Sequence, residues 1–136
     1  MAANEFLWPI RVYYEDTDSG GVVYYANYLK FMERARTEWL RTKGYEQDEL
    51  ISSEKIIFAV RSVQVDYLKP GRFNQKLYVS VKLRSAGKAS MEFEQKVLTG
   101  IEKKDKLCTG IVKIACLDAE TFRPKAIPQV MFREIT

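Results

Sequence analysis

Hydrophobic positions along the chain change period twice, and those changes divide it into elements. From Ile10 to Asp16 apolar and polar residues alternate, Ile10, Val12 and Tyr14 being set against Arg11, Tyr13 and Glu15. A period of two predicts a strand, with Pro9 at its start, where a missing N–H is tolerated. Asp18-Ser19-Gly20-Gly21 then breaks the pattern as a hinge. From Asn27 the period lengthens: Tyr28, Phe31, Met32, Ala35 and Trp39 recur at helical spacing, and Lys30, Glu33, Arg34, Thr37, Glu38 and Arg41 fall on the other face. This predicts an amphipathic helix to about Arg41. Arg34–Glu38 and Glu38–Arg41 are spaced for surface ion pairs. Gly44 suits a helix end, and Gln47 to Ser53 reads as one or two further turns.

Beyond that point the period returns to two. Ile56 to Leu68 is rich in Val, Ile, Phe and Tyr and stops at Lys69-Pro70-Gly71, a turn signal. Leu77, Val79, Val81 and Leu83 mark the next strand, Ser85-Ala86-Gly87-Lys88 a hairpin connection, and Met91, Phe93, Gln95 and Val97 its partner. Thr99 to Lys106 is a polar loop. Leu107 to Leu117 is apolar on both parities, the pattern of a strand buried on both faces. The tail from Asp118 reads as irregular with a short final element. One long helix followed by an antiparallel meander gives an α+β domain spanning 1–136. Because the helix has a wide apolar face and one sheet to meet, the sheet is expected to wrap around it.

Composition changes this picture at three points. The chain has 136 residues, 46% of them apolar and 29% charged, as in ordinary soluble globular proteins. Its net charge of +4 is spread out; no zinc spacing, helix-turn-helix signal or basic–aromatic stripe turns that into a nucleic-acid reading. The first residues, MAANEFLWPIRV, lack signal-peptide features, and no stretch approaches the ~20 apolar residues of a membrane span, so the expected location is the cytoplasm. Cys108 and Cys116 lie eight residues apart in one strand, roughly 26 Å at ~3.3 Å per residue, beyond disulfide reach, and are expected as buried thiols. There is no histidine. That removes Ser-His-Asp and Cys-His machinery, the commonest general base and the usual zinc ligands.

The remaining chemistry centres on Asp18. On turn chemistry alone, a carboxylate in Thr-Asp-Ser-Gly-Gly is more often an Asx turn than a catalyst. The other reading is that a carboxylate beside a helix start, with its free backbone N–H groups, does chemistry on a ligand the glycines allow to approach. Asp16 reads as a solvated or hydrogen-bonded strand-end carboxylate. Glu33 falls on the polar helix face and reads as an ion-pair or surface residue.

The segment EDTDSGGVVYYANYLKFMERARTEWL, with WPIRVYYEDTD before it and CLDAETFRPKAIP near the end, resembles the hotdog-fold acyl-CoA thioesterases. It is most similar to the YbgC-type, Tol-Pal-associated branch of the 4-hydroxybenzoyl-CoA thioesterase family. The resemblance implies a five-stranded antiparallel sheet wrapped around one long central helix, assembly into homodimers or homotetramers, and acyl-CoA hydrolysis without metal or organic cofactor. By motif position Asp18 matches the family's catalytic aspartate, as nucleophile or as general base on water. Tyr14, Gly20, Gly21 and Val22 match residues that frame it, and the backbone N–H groups from Val23 through Tyr24 to Tyr25, at the helix start, are those expected to polarise the thioester carbonyl, with Val23 counted in the substrate site and Tyr25 in the catalytic one. The YbgC-type branch usually has His where this chain has Tyr25. Lys88, Ser90 and Lys125 resemble the family's basic and polar contacts to the CoA phosphates. A second reading is a non-catalytic module that binds acyl-CoA or acyl carrier protein. The hotdog dehydratases need a histidine that this chain lacks.

Overall fold

The computed structural model describes residues 5–102 and 105–136. Among these, five strands form one antiparallel sheet in the order β1-β3-β4-β5-β2. They are β1 (Phe6–Arg11), β2 (Ile56–Tyr67), β3 (Lys76–Gly87), β4 (Ser90–Leu98) and β5 (Lys106–Asp118). Helix α1 (Asn27–Thr42) lies in the curve of the sheet; α2 (Gln47–Glu49) runs into a π turn at Leu50–Glu54, and α3 (Gln129–Ile135) closes the chain. This is the α+β arrangement that the sequence resemblance implies.

The apolar stripe of α1 explains the wrapping. Tyr28, Phe31, Met32, Ala35, Trp39 and Leu40 are all buried, and each large side chain so buried contributes about 1.5–3 kcal/mol relative to exposure. Trp39 meets the edge of Phe93 with ring centroids 5.3 Å apart. The 16 residues of α1 span about 24 Å at 1.5 Å per residue. The helix begins beside Gly71, whose N–H reaches the Tyr28 hydroxyl at 2.8 Å. Toward its other end Leu40 lines a cleft with Phe58, Met91 and Ile114. So α1 runs the length of the sheet, from the end where β2 stops and β3 starts to the end where β3 turns into β4.

One polar chain fixes the helix on the sheet. Gln95, fully buried in the middle of β4, donates from Nε2 to the Met32 carbonyl at 3.0 Å and accepts Arg36 Nη1 at 2.9 Å. Burial lowers the Arg36 pKa from its ordinary value, against the opposing pull of Glu33.

The structure departs from the sequence reading in four places. The first strand lies earlier than expected: β1 ends at Arg11, and Tyr14–Asp16 is a turn of 3-10 helix. Pro9 is inside β1, which an edge strand accommodates because only one side pairs. The alternation at 10–16 misled because the Asp16 side chain takes the Tyr13 N–H at 2.8 Å, competing with a ladder bond. Strand β3 continues through the expected hairpin connection to Gly87. Strand β5 is buried on one face: Cys108, Gly110, Val112, Ile114 and Cys116 point inward, while Lys113 is exposed, as in an antiparallel sheet covered by a helix on one side. Of the two ion pairs expected on α1, Glu38–Arg41 forms at 2.5 Å, Arg41 also reaches Glu46 at 2.8 Å, and Arg34 makes none among the described residues. Cys108 and Cys116 are free and buried, and burial pushes their thiols up to about 12 and about 11. Part of the expected polar loop, residues 103–104, lies outside the described residues. No helix among those described is long and apolar enough to cross a membrane.

Candidate active site

Between β1 and α1 the chain makes a small closed loop. Thr17 and Val23 form an isolated antiparallel bridge, with the Asp18 N–H donating to the Val22 carbonyl at 2.9 Å and Tyr24 N–H to the Asp16 carbonyl at 2.8 Å. Inside this stem, Gly21 N–H donates to the Asp18 carbonyl at 3.0 Å, and Gly21 takes φ +78°, a conformation glycine adopts without strain. A second bridge, Val22 to Arg72, lays the Pro70–Gln75 segment along the loop. Gly71 fits closely there: a Cβ would stand 3.1 Å from both the Tyr28 hydroxyl and Val23 Cγ2, which would have to give way by a few tenths of an ångström.

The two acidic side chains of this turn have opposite surroundings. Asp16 is 6% exposed and accepts Tyr13 N–H through Oδ2 at 2.8 Å and Asn27 Nδ2 through Oδ1 at 2.9 Å. Of the two sequence readings, the hydrogen-bonded one holds for it. Asp18 is exposed. Its Oδ1 accepts the Gly20 N–H at 2.8 Å, the expected Asx turn, and its Oδ2 has no partner among the described residues. The turn role and a chemical role are thus compatible, since the first occupies one oxygen.

The start of α1 supplies the complementary groups. Its N-cap, Ala26, makes no side-chain cap. Val23 and Tyr24 N–H are committed to Gly71 and Asp16 carbonyls, so neither can meet a ligand. Tyr25 and Ala26 N–H have no acceptor among the described residues, and they stand at the positive end of the α1 dipole. Val23 is buried in the core; Tyr14, Tyr25 and Gly21 are exposed and Val22 half-buried.

Aromatic rings frame the loop on both sides. Tyr14 packs edge-on against Phe73 with centroids 5.8 Å apart. Tyr25 meets Tyr24 at 4.8 Å and Tyr67, the last residue of β2, at 6.0 Å. Burial raises the pKa of Tyr28 and Tyr67, and a hydrogen bond with Tyr25 raises that of Tyr24. These three rings therefore act as neutral groups at ordinary pH. Asn27, Gly71 and Tyr67 were missed by the sequence reading; the one available signal was Asn27, a polar residue on the apolar stripe of α1.

Lys88, Ser90 and Lys125 stand elsewhere. Ile127 N–H donates to the Lys88 carbonyl and Lys125 N–H to the Cys116 carbonyl, which gathers all three at the far end of the sheet, where β3 turns into β4. Within one chain they are separated from Asp18 by the length of α1. Lys125 is also engaged: Nζ donates to the Glu54 carbonyl at 3.0 Å and lies 3.8 Å from Asp118. Lys88 is exposed, with no side-chain partner among the described residues. Glu33 is exposed and accepts the Thr37 hydroxyl at 2.6 Å. No cluster of three potential metal ligands occurs among the described residues.

Comparison with known proteins agrees with the fold and the family resemblance. The chain is 40% identical over 129 residues to the acyl-CoA thioesterase YbgC of Haemophilus influenzae, covering 95% of this chain and 93% of that one. It is 39% identical to the acyl-CoA thioester hydrolase YbgC of Escherichia coli O157:H7, covering 98% of each. Among solved structures it superposes on a probable thioesterase from Bartonella henselae with TM-score 0.85 at 35% identity, over 91% of this chain and 99% of that one. A 1,4-dihydroxy-2-naphthoyl-CoA thioesterase from Synechocystis shares the fold, with TM-score 0.87 at 20% identity over 97% and 96% of the two chains. Residues 12–135 match the thioesterase-like superfamily, and the chain belongs to that family of hotdog-fold proteins.

Proposed function

We propose that this protein is an acyl-CoA thioesterase whose catalytic carboxylate is Asp18 and whose oxyanion donors are the Tyr25 and Ala26 N–H groups. One observation carries the reading: around one glycine loop, a carboxylate oxygen and two N–H groups at a helix start have no partners among the described residues. Thioester hydrolysis needs both halves. Asp18 either attacks the carbonyl carbon, giving a mixed anhydride and CoA thiolate, or takes a proton from the attacking water. In each case the carbonyl oxygen becomes negative and is met by backbone N–H groups that need no reorganisation. With no histidine in the chain, the carboxylate has no competitor of that kind for the proton. An open groove of about 260 Å³ along α1 has Leu29, Met32, Val60, Val63 and Val112 as an apolar wall for an acyl group, with Glu33 and Arg36 beside them. Tyr14, Val22 and Gly21 form the approach to the loop.

The phosphate contacts require a second copy of the chain. Strand β2 is an edge of the sheet and exposes Val60, Val63 and Tyr67, an unpaired apolar edge of the kind that pairs with another strand. Two β2 strands paired antiparallel about a two-fold axis place the start of one beside the end of the other. The Lys88 end of each protomer then lies against the Tyr25–Asp18 end of its partner. In such a homodimer Lys88 and Ser90 reach CoA held over the partner's Asp18, and Lys125 supports them from behind its tie to Glu54. CoA or an acyl carrier protein can present the thioester through the same pantetheine arm.

The test is release of CoA thiol from butyryl-, octanoyl- and benzoyl-CoA by the wild type and by Asp18→Asn. Turnover lost in the variant supports the reading; full activity in Asp18→Asn removes Asp18 from the mechanism. Tight CoA binding with no turnover by the wild type would favour the binding-module reading.

A further inference from the structure

Asp16 is a buried carboxylate with no cationic partner among the described residues. A carboxyl group taken out of water is unfavourable unless its oxygens find hydrogen-bond donors, and at Asp16 they do. Its four hydrogen bonds show what the residue joins. The backbone N–H of Asp16 donates to the Tyr13 carbonyl at 3.0 Å, and its carbonyl accepts Tyr24 N–H at 2.8 Å. The carboxylate accepts Tyr13 N–H and Asn27 Nδ2. One stem of the loop that carries Asp18 is thereby tied to the other stem, and also to the first turn of α1. The uncommitted N–H groups of Tyr25 and Ala26 lie in sequence between two of its partners, Tyr24 and Asn27.

We infer that Asp16 and Asn27 are positioning residues, a carboxylate–amide brace that holds the Asp18 loop and the N–H groups of Tyr25 and Ala26 in one frame. Neither side chain bonds to Asp18 itself. Both act through the frame, and in catalysis a displacement of 1 Å can lower the rate on the order of 100-fold. The inference rests on the reading of Asp18 and the two N–H groups given above.

Asn27→Ala breaks the tie while leaving Asp16 its Tyr13 contact, and Asp16→Ala removes both contacts. Asp16→Asn keeps them: its Oδ1 takes Tyr13 N–H, and its amide donates to Asn27 once that side chain turns over to present oxygen. Each variant is assayed on the CoA thioester that the wild type hydrolyses, well below its own Tm, with kcat and KM measured separately. The expected result is a fall in kcat of about 30- to 100-fold for Asn27→Ala with KM within about 3-fold, and kcat for Asp16→Asn within about 5-fold of wild type. A folded Asn27→Ala with wild-type kcat and only a lowered Tm overturns the inference. So does a folded Asp16→Asn as impaired as Asp16→Ala, since the charge and not the tie would then be at work. If Asp16→Ala does not fold, Asn27→Ala and Asp16→Asn still decide the matter. A wild type that hydrolyses no thioester refutes the proposed function instead, so the two failures are distinct.

Discussion

Asp18 and Asp118 occupy opposite ends of the sheet and do the same local job. Each accepts through Oδ1 the N–H two residues on, Gly20 for Asp18 and Glu120 for Asp118. They differ in what is left over. Asp118 takes a second N–H, from Thr121 at 3.0 Å, and its Oδ2 has Lys125 at 3.8 Å. Those contacts, led by the Thr121 and Glu120 N–H groups, hold its pKa below the usual carboxylate value. Asp18 keeps one oxygen without a partner among the described residues, and so do the Tyr25 and Ala26 N–H groups a few residues on. Turn chemistry alone therefore does not separate the two aspartates; the unspent hydrogen-bonding capacity around Asp18 does, and the proposed function rests on it.

The largest effect expected from this contrast is on turnover. Asp18→Asn should lower kcat by about 10²- to 10⁴-fold, the usual worth of a positioned acid or base, while Asp118→Asn leaves kcat of the folded protein near wild type. Equal losses in both would erase the distinction. Next in size is a complementation experiment on the two ends. Asp18→Asn and Lys88→Ala proteins, unfolded together and refolded at equal amounts, form hybrids with one intact composite site. At substrate below KM they should recover about a quarter of the wild-type rate, as half the dimers are hybrid and each has one of two sites. A mixture no better than the mean of its parents would place Lys88 and Asp18 in separate functions.

A smaller effect should appear in stability against pH. The folded pKa of Asp118 is depressed from 3.8, so its contribution is fully present above that value and is lost as pH falls through the folded one. Asp118→Asn should accordingly lower Tm at pH 7, and the gap to wild type should close in thermal scans taken below pH 3.8 toward still lower pH. A gap independent of pH would point to lost turn geometry rather than charge. Smallest is the expectation for Cys108, whose thiol burial pushes up to about 12. Iodoacetamide at pH 8 should leave it unmodified in the native protein and alkylate it in urea, with mass spectrometry as the readout; native labelling would show that the base of β5 opens.

Much of this was legible in the sequence, for reasons that can be named. The stripe from Tyr28 to Trp39 specified α1 because helical spacing and burial coincide there, and the Lys69-Pro70-Gly71 turn ended β2 where expected, within a residue. The Asp18 hinge was legible because glycine and aspartate at those positions have few other uses. What escaped was set by contacts between distant segments. Asp16 looked like the end of an alternating strand, and only the return of Asn27 beneath it turns it into a buried brace. Lys88 and Lys125 matched a motif by position, yet sequence order says nothing about the distance, one helix length, that separates them from Asp18. Likewise Val23, Tyr24 and Tyr25 all offered N–H groups in the sequence, and the bridges to Gly71 and Asp16 eliminated the first two.

The bond from Gln95 to the Met32 carbonyl gives the active loop a dependence on a residue in the middle of the sheet. Apolar burial is non-directional, so the register of α1 on the sheet rests on this bond together with Tyr28–Gly71 and Asn27–Asp16, one turn of slip being 5.4 Å. Gln95 is one of the ratchet teeth that set the notch. A Gln95→Leu protein would leave the part-buried Arg36 guanidinium without its acceptor, so the core would loosen at the same place where the helix loses its ruler.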